Sequence, residues 1–360
     1  MKRKILYALI LTAALGTAAC GVDGNSGASK NSQSTDKVSS EAESSGNDNE
    51  ATQDVFAMDT YMTVTAYGKN ATAAVDDAIA EIKRLDALLS TGDENSEIAQ
   101  LNVNKSAVLS EDGGYLVERA IELYDMTDGA FDIAIYPVMQ EWGFPTKDFK
   151  VPEEATLKEL LTLADVSDIN YDSQTREISF AKDGMEIDLG GIAKGYTSSR
   201  IMQIFDEYDI ESGLVNLGGN VQTYHTKTDG TKWRVAVQSP EDDSDYIGVL
   251  DVSDKAVITS GGYERYFEQD GKIYHHIIDP ATGYPADSGL KSVTIISDDG
   301  TLADGLSTSL FVMGKDKAAE FWKAHSDEFD FVLLTDDDKM YVSEGIADDY
   351  TSDYDYEVIQ

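Results

Sequence analysis

An α+β fold, with largely antiparallel sheets flanked by helices, is what this sequence predicts, and three observations carry the prediction. Residues 71–89 place Val75, Ile79, Ile82, Leu85 and Leu89 at spacings of three and four, the period of a helix with one buried face. Residues 213–259 are strand-rich and broken by tight glycine and aspartate turns rather than by long crossovers. Strand-like and helical segments then interleave to the end of the chain, without an internal repeat.

Taken in order, residues 61–67 alternate and stop at Gly68, which reads as a strand. After the 71–89 helix, residues 116–126 read as a second one, ending at Asp128-Gly129. Residues 156–164 form a short third helix, following Pro152 and two acids that suit a helix start. Residues 193–208 form a fourth, packing Ile201, Ile204 and Phe205. Strands are expected at 213–220, 233–238, 256–259, 292–297 and 331–334, with helices over 303–313 and 317–325. The tail from Asp348, tyrosines among acids, is expected to lie along the surface or to fray.

The N-terminus has a different character. Lys2, Arg3 and Lys4 followed by an apolar run over 5–15 read as a secretory signal, and the run is too short to span a bilayer. It leads through Thr17-Ala18-Ala19 to Cys20, the only cysteine, which therefore has no internal disulfide partner. The segment resembles a bacterial lipobox, with Thr17 where an aliphatic residue is usual. The expectation is a signal peptide over 1–19, a lipidated Cys20 and a flexible tether over 20–53, rich in Ser, Asn and Gly. The folded region then covers 54–360. The protein is expected to be exported, lipid-anchored to the bacterial cell membrane and facing outside the cytoplasm.

A formal charge of −39 excludes nucleic acid as a partner, since that needs a basic face. An anionic ligand would need a local cation, which points to a metal.

The most informative segment is Asp188-Leu189-Gly190-Gly191-Ile192-Ala193-Lys194-Gly195. It reads as a strand ending on an acid and two glycines, then a helix with a lysine one turn in. Bare backbone, a carboxylate and a cation at a helix N-terminus suit a phosphate. Three other segments accompany it. Asp128–Asp132 precedes Tyr136-Pro137, and Thr259–Tyr266 leads to His275-His276-Ile277-Ile278-Asp279-Pro280. Asp304 and Thr308 lie at i and i+4 near a helix start, on one face. Each has a plainer reading: Asp304 as an N-cap, Thr308 as a packing residue, the two histidines as strand residues facing opposite ways.

Together these segments resemble a known family. DLGGIAKGY, GLVNLGGN, TSGGYER, HHIIDPATGYP and ADGLSTSLFVMG, in this order, look like the ApbE family of FAD:protein FMN transferases. Ala57-Met58-Asp59-Thr60 and GAFD at 129–132 match its N-terminal motifs, so the resemblance runs from about Asp54 to the end. It implies an ApbE-like fold and an enzyme that takes FAD as substrate with Mg²⁺. FMN would pass to a threonine hydroxyl of another protein, releasing AMP. The implied acceptor is an extracytoplasmic flavin-accepting electron-transfer protein.

Carried over by motif, the metal would rest on the carbonyl of Gly191, the carboxylate of Asp304 and the hydroxyl of Thr308, hard oxygen donors of the kind Mg²⁺ prefers. FAD contacts would fall on Met58, Ala130, Phe131, Asp132, Asp188, Lys194 and Ile278. His276 would take the acceptor's proton, oriented by Asp279 or with Asp279 only capping its turn. Gly92 stands where many relatives have an aromatic residue, and Tyr136 or Tyr263 are the rings available in its place. Asp23–Ser29 resembles the family's acceptor motif with Ser29 for threonine, and in so Ser-rich a tether it reads as a chance match. Two other functions fit the sequence: a metal-dependent FAD pyrophosphatase, and a flavin-binding lipoprotein without chemistry.

Overall fold

Hydrophobic alternation builds one long sheet whose spatial order follows the chain. Its nine strands are Glu50–Ala57, Thr60–Tyr67, Ser212–Leu217, Asn220–Tyr224, Ala256–Gly261, Leu290–Ser297, Phe329–Thr335, Met340–Ser343 and Tyr356–Ile359. All neighbours pair antiparallel except the last two, which are parallel. The computed structural model describes residues 49–242 and 244–360, which belong to one compact unit. The signal segment, Cys20, Ser29 and the tether as far as Asp48 lie outside the described residues.

Period two sends alternate side chains to opposite faces. Met62, Val64 and Ala66 pack under the Ala71–Leu89 helix, while Ile258 and Ile295 pack under the Gly300–Met313 helix. Val257 and Ile296, one residue out of phase, face the other way. There they meet Val235, Val237 and Leu250 of a three-stranded sheet made by Trp233–Gln238, Tyr246–Val252 and Tyr350–Thr351. A second small sheet joins Ser106–Val108, Ile169–Asp172 and Glu177–Phe180, and a two-stranded hairpin joins Tyr266–Gln269 to Lys272–His275. Among the described residues no helix is long and apolar enough to cross a membrane.

Several expectations are corrected. The folded part begins at Glu50 rather than near Asp54, because Glu50–Ala57 pairs residue for residue with Thr60–Tyr67. Its polar first half reads as tether because it lies on a sheet edge, with one side in solvent. The second helix starts at Glu111, five residues early, because Ser110 caps it by accepting from the N–H of Gly113. Of the two readings of the tail the surface one holds, since both of its strands are paired and it is largely exposed.

The segment before Gly190 is not a strand. Ile187 is extended, but its partner is a side chain: Asn102 Nδ2 donates to Ile187 O, and Ile187 N donates to Asn102 Oδ1, both at 2.8 Å. A buried amide thus stands in for a neighbouring strand. Both glycines fall inside the Gly190–Glu207 helix rather than before it.

Candidate active site

Two helices cross so closely that only glycines fit between them. A Cβ on Gly195 would lie 2.1 Å from Gly300 O and 2.6 Å from the Cβ of Asp304. This contact brings Asp304, buried on the Gly300–Met313 helix, against the second turn of the Gly190–Glu207 helix. Gly195 N–H donates to Asp304 Oδ2 at 2.8 Å, and Asn220 Nδ2 donates to Oδ1 at 3.0 Å. In an uninterrupted ladder the N–H of Gly195 would go to Gly191 O, so Gly191 O does not hold that N–H alone. Asp304 is not an N-cap: that position is Asp299, whose Oδ1 accepts from the N–H groups of Thr301 and Leu302.

Burial pushes the Asp304 carboxyl up, with Lys194 opposing. Thr308, one turn on, has only a long 3.5 Å contact to Ser260 Oγ, which is itself bonded to Ser307 at 2.7 Å. The backbone N–H of Lys194 also faces this carboxylate, and of its roughly four acceptor positions at least one stays open. One carboxylate, a hydroxyl and a main-chain carbonyl form an all-oxygen set suited to Mg²⁺, which binds through one or two carboxylates plus substrate phosphates. Among the described residues no group of three or more His, Cys, Asp or Glu could hold a metal by itself. A cation here would therefore need the ligand's phosphates to complete its shell.

Gly191 needs no side chain for a reason other than the metal's approach. A Cβ there would stand 2.9 Å from the ring of Phe131. Phe131 is buried, and its N–H donates to Thr127 Oγ1 at 3.1 Å; Ala130 precedes it, after Asp128 and Gly129 at φ 52° and 80°. The Asp132 carboxylate is turned inward, accepting from Ala134 N at 2.7 Å and Val166 N at 3.3 Å. Burial raises it to about 7. Any ligand contact there falls to its main chain.

Asp188 Oδ1 accepts from Gly190 N at 2.7 Å, and its Oδ2 accepts from Thr91 Oγ1 at 3.2 Å. Burial raises its carboxyl, opposed by the charges of Arg265 and Lys194. Met58 lies in a two-residue turn with Asp59, at φ 47° and 61°. Its N–H donates to Asp86 Oδ1 at 3.0 Å and its sulfur lies 3.9 Å from Thr197 Oγ1. The Ile278 side chain is buried with Val138, Trp142 and Phe144.

His276 is oriented by Arg265 and not by Asp279. Its Nδ1 lies 3.1 Å from Arg265 O, and its N–H donates to the same carbonyl at 3.0 Å. A carbonyl only accepts, so Nδ1 carries the proton and Nε2 keeps a free lone pair. Asp279 instead caps its own turn, accepting from Ala281 N and Thr282 Oγ1. Burial first, then the charge of Arg265, lowers His276 to about 3, so the ring is neutral at working pH. His275 points elsewhere, with Nε2 3.1 Å from Ala286 O and its ring edge on Phe311.

Two residues the motifs contained but the sequence reading gave no role stand out. Arg265 acts electrostatically on Asp188, His276 and Glu264, as Lys194 does. Neither cation is in an ion pair among the described residues, in a chain where most surface lysines and arginines are paired. Glu264 is exposed as a whole residue, and crowding around its carboxyl raises it to about 7, with Lys194 opposing and Asp304 adding. Of the rings that could replace an aromatic at 92, Tyr136 is buried in the core and Tyr263 is half-buried beside Gly261.

A buried carboxylate, two cations outside any ion pair among the described residues and a neutral imidazole are groups suited to transfer at a phosphate. The comparisons with known proteins agree. The ApbE family model matches residues 58–333, and the chain belongs to that family. It is 35% identical to an FAD:protein FMN transferase of Klebsiella pneumoniae, over 71% of this chain and 79% of that one. It is 32% identical to one from Treponema pallidum, over 79% and 84%. The structure of the ApbE protein from Thermotoga maritima superposes with a TM-score of 0.77 at 33% identity, covering 82% of this chain and 97% of that one. The Vibrio cholerae flavin transferase ApbE gives 0.74 at 25% identity, covering 82% and 98%.

Proposed function

We propose that this protein is an FAD:protein FMN transferase that needs Mg²⁺ and places FMN on a threonine hydroxyl of its acceptor, releasing AMP. What supports this most is one arrangement: Asp304, held at a helix crossing, shares the charge of Lys194 with Glu264 and His276, and Arg265 acts on the last two. Lys194 and Arg265 would hold the two negative charges of the pyrophosphate, which the acidic surface otherwise repels. Asp304, Thr308 and Gly191 O would hold Mg²⁺, which when bound offsets charge building on the phosphate oxygens.

The acceptor oxygen then bonds to the FMN phosphorus as the bond to the AMP phosphate breaks, and Nε2 of His276 takes the hydroxyl proton. Negative charge bound beside Arg265 would offset the second of the two causes that lower His276, and so raise the basicity of the ring. Asp188, with lone pairs left over, would accept from hydroxyl or imide groups of the flavin portion.

The sequence before Asn49 supports a lipid-anchored, extracytoplasmic setting, and the acceptor is then an electron-transfer protein at the membrane. The test is to incubate the chain with FAD, Mg²⁺ and a candidate acceptor and to locate the adduct by peptide fragmentation. An FMN mass on a threonine supports the reading. An unmodified acceptor, with FMN and AMP released together, would replace it by hydrolysis.

A further inference from the structure

Phe56 and Tyr61 are opposed across the first hairpin and touch edge to face, with centroids 5.1 Å apart. They are 60% and 78% exposed, although two aromatic rings of this kind bury large areas when a partner is available. The hairpin beneath them is firm. Val55, Ala57, Met62 and Val64 are buried on its other face under the Ala71–Leu89 helix.

The position of the pair matters. The two residues straddle the turn that carries Met58, whose sulfur rests on Thr197 of the helix that supplies Lys194. Thr60, on the same turn, fills the space where a Cβ of Gly218 would sit, 2.2 Å away. Gly218 belongs to the turn before Asn220, the residue that holds Asp304. The aromatic pair is thus fixed to the frame of the site but lies outside it, on the sheet face turned from the helices. Asp54 and Asp59 flank it, both exposed.

We infer that Phe56 and Tyr61 form the docking surface for the flavin-accepting protein. The inference rests on the transferase reading: the second substrate is itself a protein, so something beyond the reacting hydroxyl must be gripped, on surface fixed to the frame of the site. Rigid aromatic rings in an acidic border fit an acceptor that presents an apolar side chain near its threonine, ringed by lysine or arginine. An anionic membrane would be repelled by the same border.

The experiment compares two acceptors with FAD and Mg²⁺ present. One is a heptapeptide with the sequence of Asp23–Ser29 carrying Ser29→Thr, which has no large apolar or basic side chain for the pair to grip. The other is the intact electron-transfer protein that the unaltered chain loads with FMN. For the double variant Phe56→Ser with Tyr61→Ser, kcat/KM for the intact protein should fall about tenfold or more, the scale of a lost aromatic hot spot. The rate with the peptide and the affinity for FAD should change by less than about twofold. Asp54→Lys should weaken the intact acceptor less, and its loss should shrink as salt is added.

Equal losses with both acceptors would overturn the inference, as would no loss with the intact protein. So would an effect confined to binding of phosphatidylglycerol vesicles, or a change from dimer to monomer in sedimentation. If the unaltered chain releases FMN and AMP but modifies neither acceptor, the transferase reading itself fails, and the docking surface with it.

Discussion

Asp304 sits where two core helices cross through Gly195 and Gly300, whereas His276 sits at the foot of a two-stranded hairpin with Tyr266 and Ile273 exposed on it. The first half of the site is held by buried polar bonds to Asn220 and Gly195, and the second by one backbone carbonyl and an aromatic cluster around Trp142 and Phe267. On the proposed assignment the difference follows the two substrates. A pyrophosphate is the same in every FAD, so a half that holds it can be built to a fixed geometry in the core. The acceptor is another protein, and His276, which would take its proton, stands on a peripheral element with an open face.

Breaking the core half should cost most. Asp304→Ala is expected to lower metal-dependent turnover by about a thousandfold or more, since it removes the one carboxylate of the proposed cation site. Release of AMP measured across a Mg²⁺ titration checks it, and a variant that stays fully active refutes the assignment.

Breaking the peripheral half should cost less and differently. His276→Ala is expected to lose about a hundredfold to ten-thousandfold in transfer while FAD affinity, measured by flavin fluorescence, changes by only a few-fold. The imidazole also predicts a pH signature. In the free enzyme its value is lowered to about 3, so the acid limb of kcat/KM should show no loss from His276 near pH 6.5. The limb of kcat should lie higher, because bound FAD offsets Arg265. For stability the sign is the usual one for a depressed group. The contribution is complete above about 6.5, where both states are neutral, and declines as pH falls toward 3, where the unfolded chain alone is charged. Melting curves of His276→Ala should therefore lose part of that slope.

Gly195→Ala tests the crossing through the fold. The added methyl would meet the Gly300 carbonyl, so overpacking should cost about 1–3 kcal/mol in denaturant unfolding, with turnover falling as Asp304 is displaced. The smallest effect concerns Asp132, whose buried carboxyl holds the N–H groups of Ala134 and Val166. Its carboxyl should titrate near 7 by carbon-detected NMR, and the native state should lose stability as pH rises from about 4 to 7. A value below 4 would show that the two backbone N–H bonds outweigh burial.

How much the sequence disclosed follows from the same contrast. The Ala71–Leu89 helix and the Asp304–Thr308 face are legible because periodicity writes them into adjacent residues. Asn102, which fixes the extended chain before Gly190 from 85 positions away, leaves no local signal. The Glu50–Gln53 half-strand looks like tether because an edge strand tolerates polar residues on both faces. Arg265 could have been found: an arginine in a glycine-rich motif of so acidic a chain is a phosphate signal in its own right.

The most direct test of the central claim is the ratio of acceptor-bound FMN to AMP in a single reaction, run with Mg²⁺ and again with a chelator. The account predicts one adduct for each AMP with the metal present, and neither product once it is removed. AMP in excess of adduct, matched by free FMN, or an undiminished yield in chelator, would contradict it.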